Sequence, residues 1–170
     1  TRPDFAENGY AKGVPMGGDL NQAPAGKSPA FMMQALRDPD GANLDRIQIV
    51  KGWLDASGET QEKVYDVAWS DSDSRKVGSD GKVPSVGTTV DEKEATYTNT
   101  IGAPSLTGYW QDPEFNPKLK AFYYVRVLEI PTPRWLAYDR KNYNLYDVMP
   151  KDIPYSSQER AYASPIWYQP

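Results

Sequence analysis

Histidine and cysteine are both missing from this chain of 170 residues. The first absence removes the commonest general base and the commonest zinc ligand together. The second removes the thiolate nucleophile and any disulfide framework, and leaves the redox compartment open. Long apolar runs are missing too. The apolar stretches are short and interrupted, as in Ile47 to Val50 and Val125 to Leu128, and fall far short of the roughly 20 residues of a membrane-spanning helix, so no span is predicted. There is no basic cluster: 19 Lys and Arg are interspersed with 23 Asp and Glu for a net charge of −4, a balance that gives no field for a phosphate backbone and excludes nucleic acid as a partner.

What is present suits a β protein. Hydrophobic residues make up 39% of the chain, with five Trp, twelve Tyr and four Phe, enough to bury the core of one domain. Thr1 to Ser28 is rich in Gly, Pro, Asn and Ala without helical or strand periodicity, and reads as an arm or linker. The remainder, 29–170, reads as one domain. Ala30 to Leu36, bounded by Pro29 and Pro39, is predicted as a strand. Ile47, Ile49 and Trp53 share a face interrupted by Lys51, and Tyr65, Val67 and Trp69 alternate in the same way. Between them Asp55 and Gly58 supply turn chemistry, so a hairpin is expected.

Ser70 to Thr89 is too polar and broken to bury a face and reads as a long surface loop. Three further strands are predicted at Ala95–Ile101, Ser105–Trp110 and Ala121–Ile130, and a short one within Arg160–Tyr168, restricted by Pro165 to a sheet edge or its beginning. Beyond Pro131-Thr132-Pro133 the chain reads as irregular and Pro- and Tyr-rich until Arg160. With no convincing amphipathic helix to cover a sheet, the fold class is all-β: a β-sandwich, immunoglobulin-like or jelly-roll-like, with an irregular N-terminal arm.

Candidate sites are few. Among so many carboxylates no pair is singled out, and no catalytic residue is assigned. Asp38, Asp40, Asn43 and Asp45 could make a weak oxygen-ligand site, as could Asp71, Asp73 and Asp80 beside Gly81, but neither run has the spacing of a calcium loop and turn formation is the simpler reading. Gly13 to Leu20 lacks the Lys of a phosphate loop. Arg126 interrupts an apolar strand and is expected in a structural salt bridge. Of the five tryptophans, Trp53 and Trp69 fall on predicted core faces, whereas Trp135 and Trp167 lie in Pro-rich segments, where exposed indoles could stack on sugar rings.

The runs Ala121 to Trp135 and Glu159 to Tyr168, with Leu44 to Trp53 and Gly13 to Leu20, resemble the C-terminal region of a family of large bacterial proteins catalogued as a domain of unknown function. The resemblance covers essentially the whole chain. It implies an upstream PHP-like or amidohydrolase-like barrel whose His and Asp residues bind divalent metal ions, and an exported or periplasmic location. None of those ligands has a matching position here, so no cofactor is expected in this chain. Thr1 is not Met and no signal segment follows it, which reads as a piece of a larger polypeptide.

Two functions follow as expectations. One is a non-catalytic accessory domain that packs on the upstream barrel or shapes access to it. The other is a carbohydrate-binding module using Trp135, Trp167 and nearby tyrosines. A homo-oligomer joined by an edge strand or the arm is a further expectation.

Overall fold

The computed structural model of the chain describes residues 4–21 and 23–170. The fold is predominantly β, with eight strands and two short helices among the described residues. Order along the chain is α1 (Phe5–Lys12), β1 (Asp19–Asn21), β2 (Ala30–Leu36), β3 (Leu44–Leu54), β4 (Thr60–Trp69), β5 (Ser105–Gln111), β6 (Ala121–Pro133), α2 (Trp135–Asn142), β7 (Ser156–Tyr162) and β8 (Ile166–Gln169).

The layers are unequal. Six strands form one sheet in the order β1-β8-β6-β3-β4, with β7 also on β6, and β2 and β5 form a two-stranded antiparallel ribbon. The ribbon lies on one face of the large sheet. Phe31, Met33 and Leu106 of the ribbon pack there against Ile47, Ile49, Ala121, Tyr123 and Tyr168, and the rings of Phe31 and Tyr123 meet at 4.7 Å. This is the main core. Its residues recur with the period of two that the pleat imposes on β3 and β6.

The hairpin β3–β4 forms as the alternation predicts. Asp55 Oδ1 accepts from the backbone N–H groups of Ser57 and Glu59, and Gly58 takes the positive φ of 86° that a Cβ would strain. These bonds, with the Ser57 hydroxyl first, hold the Asp55 carboxyl below its usual range. The single-face reading of Tyr65, Val67 and Trp69 needs correction. Ile49 pairs with Tyr65, but Ile47 pairs with Ala68 and Arg46 with Trp69, so a bulge at Val67 turns Trp69 to the face opposite Tyr65.

Four other expectations are overturned. Ala95–Ile101 is no strand: Ala95 has a φ of 50°, and only an isolated bridge joins Asp91 to Thr96. Chain from Ser70 to Thr89 is not merely a surface loop, since Ser70, Arg75 and Val83 are buried against the sheet. The arm read at 1–28 contains α1, and its β1 joins the sheet in parallel with β8; residues 1–3 and 22 of that segment lie outside the described residues. Pro- and Tyr-rich chain after Pro133 contains α2, whose Leu136 and Ala137 form a small second core with Ala95 and Tyr155. β1 and α2 are held by partners far along the chain, β8 for the one and Ala95 and Tyr155 for the other, which their local patterns do not show.

Gly52 of β3 marks the other face of the large sheet. A Cβ there would fall within the ring of Phe122, which lies over the bare backbone of its cross-strand neighbour. Gly52→Ala is expected to cost about 1–3 kcal/mol, the range for overpacking. In a Phe122→Ala background the same substitution should cost far less, a coupling that urea denaturation of the four variants measures.

Candidate functional site

Three groups of side chains carry the chemistry of this chain. Two are closed ionic clusters, and the third is an open row of aromatic rings.

The first cluster arises because β3 carries a cation into the core. Lys51 Nζ lies 2.6 Å from Asp112 Oδ2, with both side chains buried. Asp112 follows β5, so the pair ties the large sheet to the ribbon. The carboxylate is completed by the Tyr123 hydroxyl, donating at 2.7 Å, and by the Glu114 backbone N–H. Lys51 also donates to the Glu114 carbonyl and lies over the rings of Trp53 and Tyr123. Burial, then the bond to Asp112, pushes the Tyr123 hydroxyl well above the usual tyrosine range. At the rim Glu114 is held by Lys63 Nζ at 2.5 Å and by the Tyr65 hydroxyl at 2.8 Å. These bonds keep the Glu114 carboxyl below its usual range. The adjoining cavity is about 30 Å³, room for a water molecule and little else.

In the second cluster a bulge at Asp45 places its carboxylate, on a residue 1% exposed, among three nitrogen donors. Arg46 Nε, Arg75 Nη2 and Gln158 Nε2 donate to it at 3.0, 2.6 and 2.9 Å. Arg46 Nη1 donates instead to Asp66 Oδ2 at 3.0 Å. Both arginines also donate to the Pro84 carbonyl, and Arg46 to that of Val83. This cluster seals the 70–84 segment onto one end of the sheet.

The remaining part of that face is open. Trp167 of β8, Phe122 and Tyr124 of β6 and Tyr162 of β7 follow one another at centroid separations of 5.3, 6.4 and 6.2 Å. Cross-strand pairing of Phe122 with Trp167 and of Arg126 with Tyr162 puts all four on one side of the sheet. Trp167 is 48% and Tyr162 58% exposed. Phe122 and Tyr124 are parallel to within 9°, while Trp167 and Tyr162 at the two ends tilt by 53° and 43° to their neighbours, so the row is not flat.

Of the two indoles predicted to stack on ligand, the structure brings Trp167 into this row and leaves Trp135 out of it. Trp135 begins α2 and is 64% exposed. The row's other members carried no distinct signal, because Phe122, Tyr124 and Tyr162 sit in segments where alternate residues face the core. Trp53 packs on the main core, as expected; Trp69 instead donates its indole N–H to the Arg75 carbonyl.

The predicted oxygen-ligand residues are dispersed. Asp38 caps its own turn by accepting from Asp40 N–H, Asn43 bonds Asn99 and Ile101, and Asp45 belongs to the arginines. Among the described residues no three carboxylates stand together as cation ligands. The predicted salt bridge of Arg126 is replaced by a bond from its Nε to Gln48 Oε1 at 2.8 Å, because Asp66, the carboxylate on that face, already serves Arg46 and Gln48.

A family model described as "Protein of unknown function (DUF3604)" matches residues 1–170. The chain belongs to DUF3604. No curated protein and no solved structure matches it. Membership of DUF3604 bears out the resemblance as far as a family of unknown function. Among the described residues of this DUF3604 chain no helix is long and apolar enough to cross a membrane.

Two stability predictions follow from the charges. Lys51→Met would leave Asp112 buried and unpaired, at an expected cost of about 3–5 kcal/mol. Lys51→Met/Asp112→Asn, which removes both charges, should recover part of that loss in urea denaturation. Glu129 lines a second cavity of about 230 Å³ with Glu159. Burial, then repulsion by Glu159 and Asp38, raises its carboxyl above the usual range. A raised folded-state pKa means that stability falls as pH rises through it. Glu129→Gln is therefore expected to raise Tm at pH 7, with the difference closing below about pH 4 in calorimetry.

Proposed function

We propose that this chain is a non-catalytic accessory domain of a larger polypeptide, acting by holding and positioning. One contrast carries the reading. The buried ionisable side chains of the Lys51–Asp112 and Asp45–Arg75 clusters are locked to one another, with room beside the first for only a water molecule, while the open face of the same sheet carries a row of rings.

The resemblance supplies what it would serve, a PHP-like metal-dependent hydrolase barrel upstream in the same chain. Exposed apolar side chains of the arm, Tyr10 and Met16, support contact with such a neighbour. The isolated chain, supplied with Mg²⁺, Mn²⁺ or Zn²⁺, is expected to show no turnover of a phosphoester panel. Sustained hydrolysis by this chain alone would overturn the proposal.

A second reading is favoured by Trp167. Its half-exposed indole continues into three more rings, the arrangement that offers successive flat apolar faces to the C–H faces of a sugar chain. On this reading the accessory task is to bind carbohydrate.

A further inference from the structure

We infer that the aromatic row binds a pyranose polysaccharide carrying spaced uronate groups, an assignment that rests on the carbohydrate reading above and names its ligand. Three observations select this class.

The first is polarity within the row. Hydroxyls of Tyr65, Tyr123, Tyr146, Tyr155 and Tyr168 all donate to acceptors of the protein. Those of Tyr124 and Tyr162, like the Trp167 indole N–H, have no partner among the described residues, a property they share with the exposed Tyr109, Tyr138 and Tyr143 outside the row. The row therefore alternates apolar ring faces with free hydrogen-bonding groups, which matches the alternation of C–H and hydroxyl on a sugar and not the uniform apolarity of a packed protein interface.

The second is tilt. Rings parallel at the centre and tilted at both ends suit one twisted chain and not the flat face of a crystalline one.

The third is charge. Arg126, opposite Tyr162, and Arg160, two residues before Tyr162 and so on the same face, have no carboxylate within ion-pair distance among the described residues. Two guanidiniums at the Tyr162 end are a receptor for a carboxylate. At the opposite end Asp19, paired with Trp167, and Glu62, paired with Gly52, share the face and repel a second one. One uronate at one end of a neutral stretch satisfies both, and a polyuronate does not.

Affinity electrophoresis of the intact chain in gels of glucuronoxylan, carboxyl-reduced glucuronoxylan, polygalacturonate or no polysaccharide tests this. Retardation is expected in glucuronoxylan, weakened about tenfold in Kd by Trp167→Ala and by Tyr162→Ala. Arg126→Gln/Arg160→Ala should weaken glucuronoxylan binding to the level of the reduced polymer, and Trp135→Ala should leave it unchanged. Thermal melts confirm that each variant is folded. Equal retardation by the reduced polymer, or stronger retardation by polygalacturonate, overturns the uronate assignment while leaving the carbohydrate reading intact. No retardation in any gel overturns both.

Discussion

A buried ion pair holds the two layers of this protein together. Lys51 stands in the middle of β3, where alternation would place an apolar residue, and meets Asp112 at the end of β5. Either charge alone would be too costly to bury, so the ribbon can sit on the sheet only in the arrangement that brings both together. Tyr123, on the neighbouring strand, completes the carboxylate with its hydroxyl and stacks on Phe31 of the ribbon with its ring. Polar and apolar contacts between the layers thus converge on the same few residues.

The second ionic cluster does for the opposite face what the first does for the core. Arg46 and Arg75 reach the carbonyls of Val83 and Pro84, and their shared partner Asp45 is displaced outward by a bulge. A polar loop is thereby fastened over one end of the sheet. Fastening at that end leaves the other end bare, and the bare end is where the four rings lie. Gly52 contributes by absence, since only a residue without Cβ lets Phe122 settle onto the strand beside it.

Much of the main scaffold was legible. Period-two alternation located β2, β3, β5 and β6, and Asp55 and Gly58 located the hairpin turn, because these signals arise within a few residues of where they act. Elements that depend on distant partners were not. β1 is three residues long and exists because β8 accepts it, and α2 has little amphipathic pattern of its own and is stabilised by Ala95 and Tyr155 from elsewhere in the chain. Trp69 was misplaced by one bulge, for a single extra residue reverses the side of every residue beyond it. Arg126 was assigned an ion pair on residue type alone, while its neighbours decided for Gln48.

The sequence by itself determined the β class, the lack of imidazole and thiol chemistry, the hairpin and the candidacy of Trp167, all properties set by composition or by neighbours along the chain. Only the tertiary structure decided which face Trp167 shares, that Trp135 stands apart from it, and that the buried carboxylates are held by arginine and lysine. Those outcomes depend on register and on residues as far apart as Asp45 and Gln158, which no local pattern relates and which meet because the sheet must bury one face and neutralise every charge it encloses.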